Sequence, residues 1–234
     1  MSIVHDDLGP SLALIYETTS IQNLLRDGLQ SLESLRFVDT GVDAVFTLLS
    51  IGVEKLMKVT LGLVSLRDTA TWSTVEEMRR HGHNLEGTDT TVRTMLRANT
   101  VRATYPAYVA GLLDQVETDQ YWPRLLRALH QYGKSGRFHY LDLLANGHPG
   151  EWESPVTYLK SLEGTILDDN PRILVGLASA NWPQSRRELN AIIAKSVYQW
   201  WGMIYAFWIQ GAIGPRARQL ASAIKPPAAR KITA

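Results

Sequence analysis

GVEKLMKVTLGL, Gly52 to Leu63, lies inside a longer run, Val42 to Leu66, that is apolar almost all round. Apolar residues on every face mark a helix enclosed by others, so the run reads as the central helix of a bundle. Apart from Asp43 near its start, the charges of this run are Glu54, Lys55 and Lys58. Glu54 and Lys58 stand four residues apart with the acid first. This is the favourable intrahelical pairing, worth about 0.3–0.5 kcal/mol when exposed. The same cluster, set in an apolar helix, also suits the lining of a polar groove.

Upstream, Ser11 to Arg36 repeats Leu14, Ile21, Leu24, Leu25, Leu32 and Leu35 at helical spacing, and Asp39-Thr40-Gly41 predicts a turn and N-cap before the central helix. Downstream, Thr74 and Glu77 match the capping-box spacing for a short helix that Gly82 would end. Thr88 to Asp119 reads as one long helix bent at Pro106. Trp122, Leu125, Leu126, Leu129 and Tyr132 form the next apolar stripe, which stops at Gly133. Gly133, Gly136, Gly147 and Gly150 with Pro149 and Pro155 predict a long ordered loop near 133–155. Helices are expected over Pro155 to Leu167 and Pro183 to Ile213. No segment alternates as a strand does. The fold class is all-α, an antiparallel helical bundle, with one helical domain over 1–224 and a disordered basic tail over 225–234.

Hydrophobic residues make up 45% of the 234-residue chain and charged ones 20%, an ordinary globular composition. A formal net charge of +1 gives no field that would by itself collect nucleic acid, so any such binding needs a local patch. The absence of cysteine excludes disulfides, thiolate metal sites and thiol catalysis, and fits a cytoplasmic location. The N-terminus shows no signal-peptide pattern. VYQWWGMIYAFWIQGAI, Val197 to Ile213, is short for a membrane span and carries Gln199 and Gln210. It reads as a buried or dimer-interface helix. Its Trp200, Trp201, Tyr205 and Trp208 crowd too closely to face one small core, so they are expected to form an interface, in a homodimer or with a protein partner.

His81 and His83 need a turn to converge, and no Asp, Glu or His cluster joins them at ligand spacing, so no metal site and no cofactor are expected. Phosphate-binding loops, nucleophile elbows and metalloprotease His-Glu pairs are missing. Arg79 and Arg80, with Arg93 and Arg97, sketch a basic face that Glu76, Glu77, Glu86 and Asp89 dilute.

Gly52-Val53-Glu54-Lys55-Leu56-Met57-Lys58, followed after a Trp-containing connection by Gly82-His83-Asn84-Leu85, resembles the paired signature of HEPN-type helical proteins. Tyr132 to Asp142 resembles a segment of uncharacterised bacterial members, and the likeness covers roughly residues 40–145. Many members of that superfamily are dimeric, metal-independent ribonucleases. Their motif is an arginine, a polar residue and a histidine after four to six intervening positions. Such a pair supplies a cation for the phosphate and an acid/base for the ribose 2′-hydroxyl. The resemblance therefore implies a protein that acts on or binds RNA or a nucleotide, in bacterial defence or a toxin–antitoxin setting.

Arg124 and His130 match the motif's spacing, with Leu125 in place of the polar residue. On a helix the two side chains point about 120° apart, and Arg124 lies opposite the apolar stripe. Arg80 and His83 are the second catalytic candidates. Glu54, Lys55, Lys58 and Asn84 are the candidate binding residues beside them, joined by Arg137 and His139 if the loop folds back. The second expectation is a noncatalytic helical module that binds a protein partner through its Trp-rich final helix.

Overall fold

The computed structural model describes residues 8–148 and 153–228. Helices α1 (Leu8–Glu33) and α2 (Val38–Thr69) are joined by a short connection and run antiparallel. Glycine sets their closest approach. A Cβ on Gly28 would stand 2.7 Å from Leu49 Cδ2, and one on Gly52 would stand 2.9 Å from Leu25 Cδ2. Each helix thus offers a glycine to the leucines of the other, at a spacing no larger side chain permits.

Nine further α-helices follow among the described residues. They are α3 (Val75–His81), α4 (Leu85–Asn99), α5 (Pro106–Glu117), α6 (Trp122–Lys134), α7 (His139–Asn146), α8 (Pro155–Asp169), α9 (Pro171–Leu177), α10 (Trp182–Ile209) and α11 (Pro215–Leu220). Among the described residues there is no strand, and the chain is an all-α bundle. α2 packs against α1, α4, α6, α8 and α11, and α10 against α1, α5, α6, α8, α9 and α11. These two are the central helices. Their buried residues belong to one hydrophobic cluster running from Ile21 to Ile224, to which the described residues of α3 and α7 contribute none.

Four expectations are corrected. Asp39-Thr40-Gly41 is the first turn of α2, whose N-cap Phe37 gives no side-chain cap. Asp39 instead bonds Lys160 of α8 at 2.8 Å, and that ammonium holds its carboxyl below the usual range. The predicted helix over 88–119 is two helices separated by a 3-10 turn, Thr100–Arg102. Pro106 lacks an N–H and pushes the preceding Tyr105 to φ −125°, ψ 83°, so it starts a new helix instead of bending an old one. Much of the stretch 133–155 is also helical: α6 runs to Lys134, a 3-10 turn spans Gly136–Phe138, and α7 follows. Glycine there ends helices, as at Gly147 with φ +72°, and does not prevent them. Pro149 and Gly150 lie outside the described residues, as does most of the expected tail, 229–234.

The fourth correction concerns the aromatic run. Trp200, Trp201, Phe207 and Trp208 are fully buried within the chain, and Tyr205 packs partly buried against the same core. Trp200, Trp201 and Trp208 therefore leave no surface on this chain for the expected interface. A helix surrounded on several sides has room for aromatics on every face, which a surface helix lacks. Each indole N–H finds an acceptor: Trp200 donates to Asp89 Oδ1 at 2.7 Å, Trp201 to the Ile224 carbonyl at 2.7 Å and Trp208 to Thr60 Oγ1 at 3.1 Å. Trp200 also stacks on Trp122, centroids 4.8 Å apart. Among the described residues no helix is long and apolar enough to cross a membrane.

A buried ion pair locks the turn between α1 and α2. Arg186 donates to Glu163 Oε1 at 2.6 Å and to the Leu35 carbonyl at 3.2 Å, and Asn190 donates to that carbonyl at 2.7 Å. The crossing of α1 and α2 should be the least forgiving contact. Gly52→Val is expected to cost more than about 2 kcal/mol through overpacking, and to lower Tm by roughly 4 °C or more. Gly111→Ala, at an open position on α5, should be neutral or stabilise by up to about 1 kcal/mol. Thermal melts of the two variants check both.

Candidate functional site

Past Gly52 one side of the α1–α2 pair opens into a cleft. Its larger lobe, about 810 Å³, is walled by Leu14 and Glu17 of α1, by Glu54, Lys55 and Lys58 of α2, and by Trp72, Met78 and Arg216. A smaller lobe of about 400 Å³ shares Lys58, Trp72 and Met78 and adds Arg79, Gly82 and His83. The charges in the central helix therefore belong to the face of α2 that the bundle leaves uncovered.

Glu54 is the electrostatic centre. Its Oε1 accepts from Lys58 Nζ at 2.6 Å, the expected pairing, while its Oε2 accepts from His83 Nδ1 at 3.0 Å. That second bond places the ring proton on Nδ1, and Nε2 has no hydrogen bond among the described residues. The side chains of Glu54 and Lys58 are 19% and 20% exposed, but that of His83 is 63% exposed. A screened carboxylate thus holds a solvent-facing imidazole and an ammonium side by side. Lys55 turns the other way and bridges to α1, reaching Glu17 Oε2 at 3.1 Å and Ser20 Oγ at 3.0 Å.

The segment after α2 carries the remaining wall. Ala70 caps α2 in the left-handed region, φ 57°, and Gly82 ends α3 at φ 50°. Between them Trp72 lies across Gly62, where a Cβ would fall 2.6 Å from Cη2 of the indole. α3 is held by the predicted capping box: Glu77 N–H donates to Thr74 Oγ1 at 3.2 Å, and Thr74 N–H to Glu77 Oε2 at 2.7 Å. That backbone bond, helped by the Thr74 hydroxyl, holds the Glu77 carboxyl below the usual glutamate range.

The first catalytic candidates are not brought together. Arg124 is exposed on α6, whereas His130 is only 5% exposed and turned inward. His130 Nδ1 lies 3.2 Å from the Leu85 nitrogen and 3.0 Å from the His83 carbonyl oxygen, so the ring braces the turn into α4. Asn84 is the N-cap of α4, accepting from Gly87 N–H at 3.1 Å, and does not face the cleft as a ligand group. Arg137 covers the Phe138 ring and His139 meets Tyr140 edge-on. They follow the end of α6, where Tyr132 reaches Thr47 and Asp43, roughly 10–16 Å back along α2 from Glu54. Arg80 is exposed on α3. The α4 part of the expected basic face is neutralised: Arg93 pairs with buried Asp89 at 2.7 Å, and Arg97 with Asp114 and Glu117 at 2.7 and 2.6 Å.

Sequence reading missed Glu17, Trp72, Met78 and Arg216 as wall residues. A signal for Trp72 was present: Gly62 costs a helix interior about 1 kcal/mol against alanine, and such a glycine often marks a close approach. Among the described residues no group of three or more His, Asp or Glu is placed to hold a metal ion. No protein-family model, curated protein or solved structure matches the chain.

Gly62→Ala should push the Trp72 ring off its seat at a cost of about 1–3 kcal/mol. The fluorescence component that disappears in Trp72→Phe should then become more accessible to acrylamide. The capping box makes α3 sensitive to acid in a defined direction. Because Glu77 titrates lower in the folded chain, its contribution is complete above the ordinary glutamate value of about 4.3. It is lost as pH falls through the lowered value. Protection of the α3 amides, with the intrinsic pH dependence of exchange divided out, should fall only in that acid range, and Thr74→Ala should lower it about fivefold at neutral pH, matching a lost N-cap of ~1 kcal/mol.

Proposed function

We propose that this chain is a HEPN-like helical protein that binds RNA or a nucleotide in the cleft between α1, α2 and α3, with His83 as the acid/base of a metal-independent ribonuclease. The observation that carries the reading is the shared carboxylate: Glu54 bonds both Lys58 and His83 at the cleft wall. A carboxylate behind Nδ1 fixes the tautomer whose Nε2 can take a proton, and an ammonium beside it offsets charge on a phosphate. In the reaction the 2′-hydroxyl gives its proton to Nε2 as its oxygen bonds to phosphorus. The P–O5′ bond breaks, the leaving oxygen takes a proton from water, and a 2′,3′-cyclic phosphate remains. Arg79 of α3 lines the smaller lobe and supplies a further cation, with Arg80 next to it on the exposed helix. The bacterial defence or toxin–antitoxin setting rests on the resemblance alone.

A second reading, a noncatalytic module binding another copy or a protein partner, loses its indole surface to the core. It is favoured by a different observation, the exposed Phe138, Tyr140, Leu141 and Leu144 beside and along α7.

Purified protein incubated with single-stranded RNA tests the first reading. Wild type should release cyclic-phosphate ends, His83→Ala should lose about 10²–10⁴-fold in rate, and Lys58→Ala about 10²-fold. Arg124→Ala should cleave as wild type does, and His130→Ala should lower stability more than rate per folded molecule. Intact RNA with the wild type, or full activity in folded His83→Ala, overturns the ribonuclease reading.

A further inference from the structure

We infer that Trp72 is a stacking platform for one unpaired nucleobase whose own phosphate lies in the smaller lobe against Lys58, Arg79 and His83. This rests on the RNA or nucleotide reading of the same cleft and names what the cleft would hold.

Three observations carry it. First, the indole rests with the face of its benzo ring over Gly62, yet the residue remains 37% exposed and belongs to the walls of both lobes. A rigid aromatic surface left partly open in a cleft is what base stacking requires, and stacking accepts any base. Second, the lobes differ in charge. The larger is lined by Glu17 and Glu54 as well as Lys55, Lys58 and Arg216, whereas the ionisable groups lining the smaller are Lys58, Arg79 and His83, with Lys58 and His83 held from behind by Glu54. The first offers acceptors and donors to the edge of a base, and the second suits a phosphate. Third, the sizes fit: lobes of about 810 and 400 Å³ meet at Trp72, Met78 and Lys58, and small-molecule sites run to about 300–1,000 Å³. A base inside a duplex cannot reach such a platform without leaving its stack, so the occupant is a free nucleotide or a residue of single-stranded RNA.

The full chain should be titrated, by calorimetry and tryptophan fluorescence, with the four nucleoside 5′-monophosphates, ribose 5-phosphate, a short single-stranded RNA and the same RNA as a duplex. The nucleotides and the single strand should quench fluorescence and bind on the order of tenfold more tightly than ribose 5-phosphate or the duplex. Trp72→Ala should weaken that binding on the order of tenfold, and Trp72→Tyr should restore most of it, with circular dichroism confirming the fold of each. Tight binding of monophosphates without RNA identifies the free nucleotide as the source, and the reverse identifies the polymer; both support the platform. Ribose 5-phosphate binding as well as the nucleotides, or Trp72→Ala binding as wild type, overturns it. If Trp72→Ala also cleaves RNA normally in a His83-dependent way, the platform falls while the ribonuclease reading stands. If nothing binds and nothing is cleaved, both fall.

Discussion

The close approach of α1 and α2 is the constraint on which the rest of the molecule depends. Gly28 and Gly52 let the leucines of the opposite helix seat against bare backbone. That contact costs helix propensity, about 1 kcal/mol per glycine. The burial of Leu25, Leu29, Leu49 and Val53 around it offsets the loss, at about 1.5–3 kcal/mol for each side chain fully buried. Beyond Gly52 one side of the α1–α2 pair opens into a cleft, and Glu54, Lys55 and Lys58 of α2 line it.

Within the cleft a single carboxylate organises the charges. Glu54, 19% exposed, is engaged by two partners from two elements. Lys58 comes from the same helix and is positioned by helical spacing. His83 comes from the turn after α3 and is positioned by tertiary structure: the His130 ring below, the Asn84 cap beside it and the positive φ of Gly82 before it. Packing beneath the turn thus gives His130 a structural role at the place where spacing alone gives it a catalytic one.

Stability is unevenly distributed around this site. α2 and α10 both belong to the one buried cluster, and the N–H groups of Trp200, Trp201 and Trp208 bond to α4, to Ile224 and to α2 in turn. α3 shares none of that cluster and relies on its capping box and on Trp72 over Gly62. Elements with few buried contacts open at lower free energy than the core does. One wall of the cleft is therefore rigid and the other is the more readily moved, which suits a site that must admit a ligand.

Much of this was legible in the sequence: the all-α class, the enclosed helix around Gly52–Leu63, the Glu54–Lys58 pair and the Thr74–Glu77 box all follow from periodicity or from contacts within four residues. Such features depend on local geometry that any helix imposes. The break at Pro106, the helical nature of 139–146 and the inward turn of Trp200, Trp201 and Trp208 did not follow, because each depends on how many neighbours surround a segment. The same division runs through the site. Sequence alone determined that α2 would carry a charged stripe and that His83 would follow a short capped helix. Only the tertiary structure decided that His83 meets Glu54 while Arg124 and His130 point apart, and that Trp72 lies across Gly62. Side chains from separate elements converge only when packing fixes the distance between those elements, and no spacing along the chain encodes that distance.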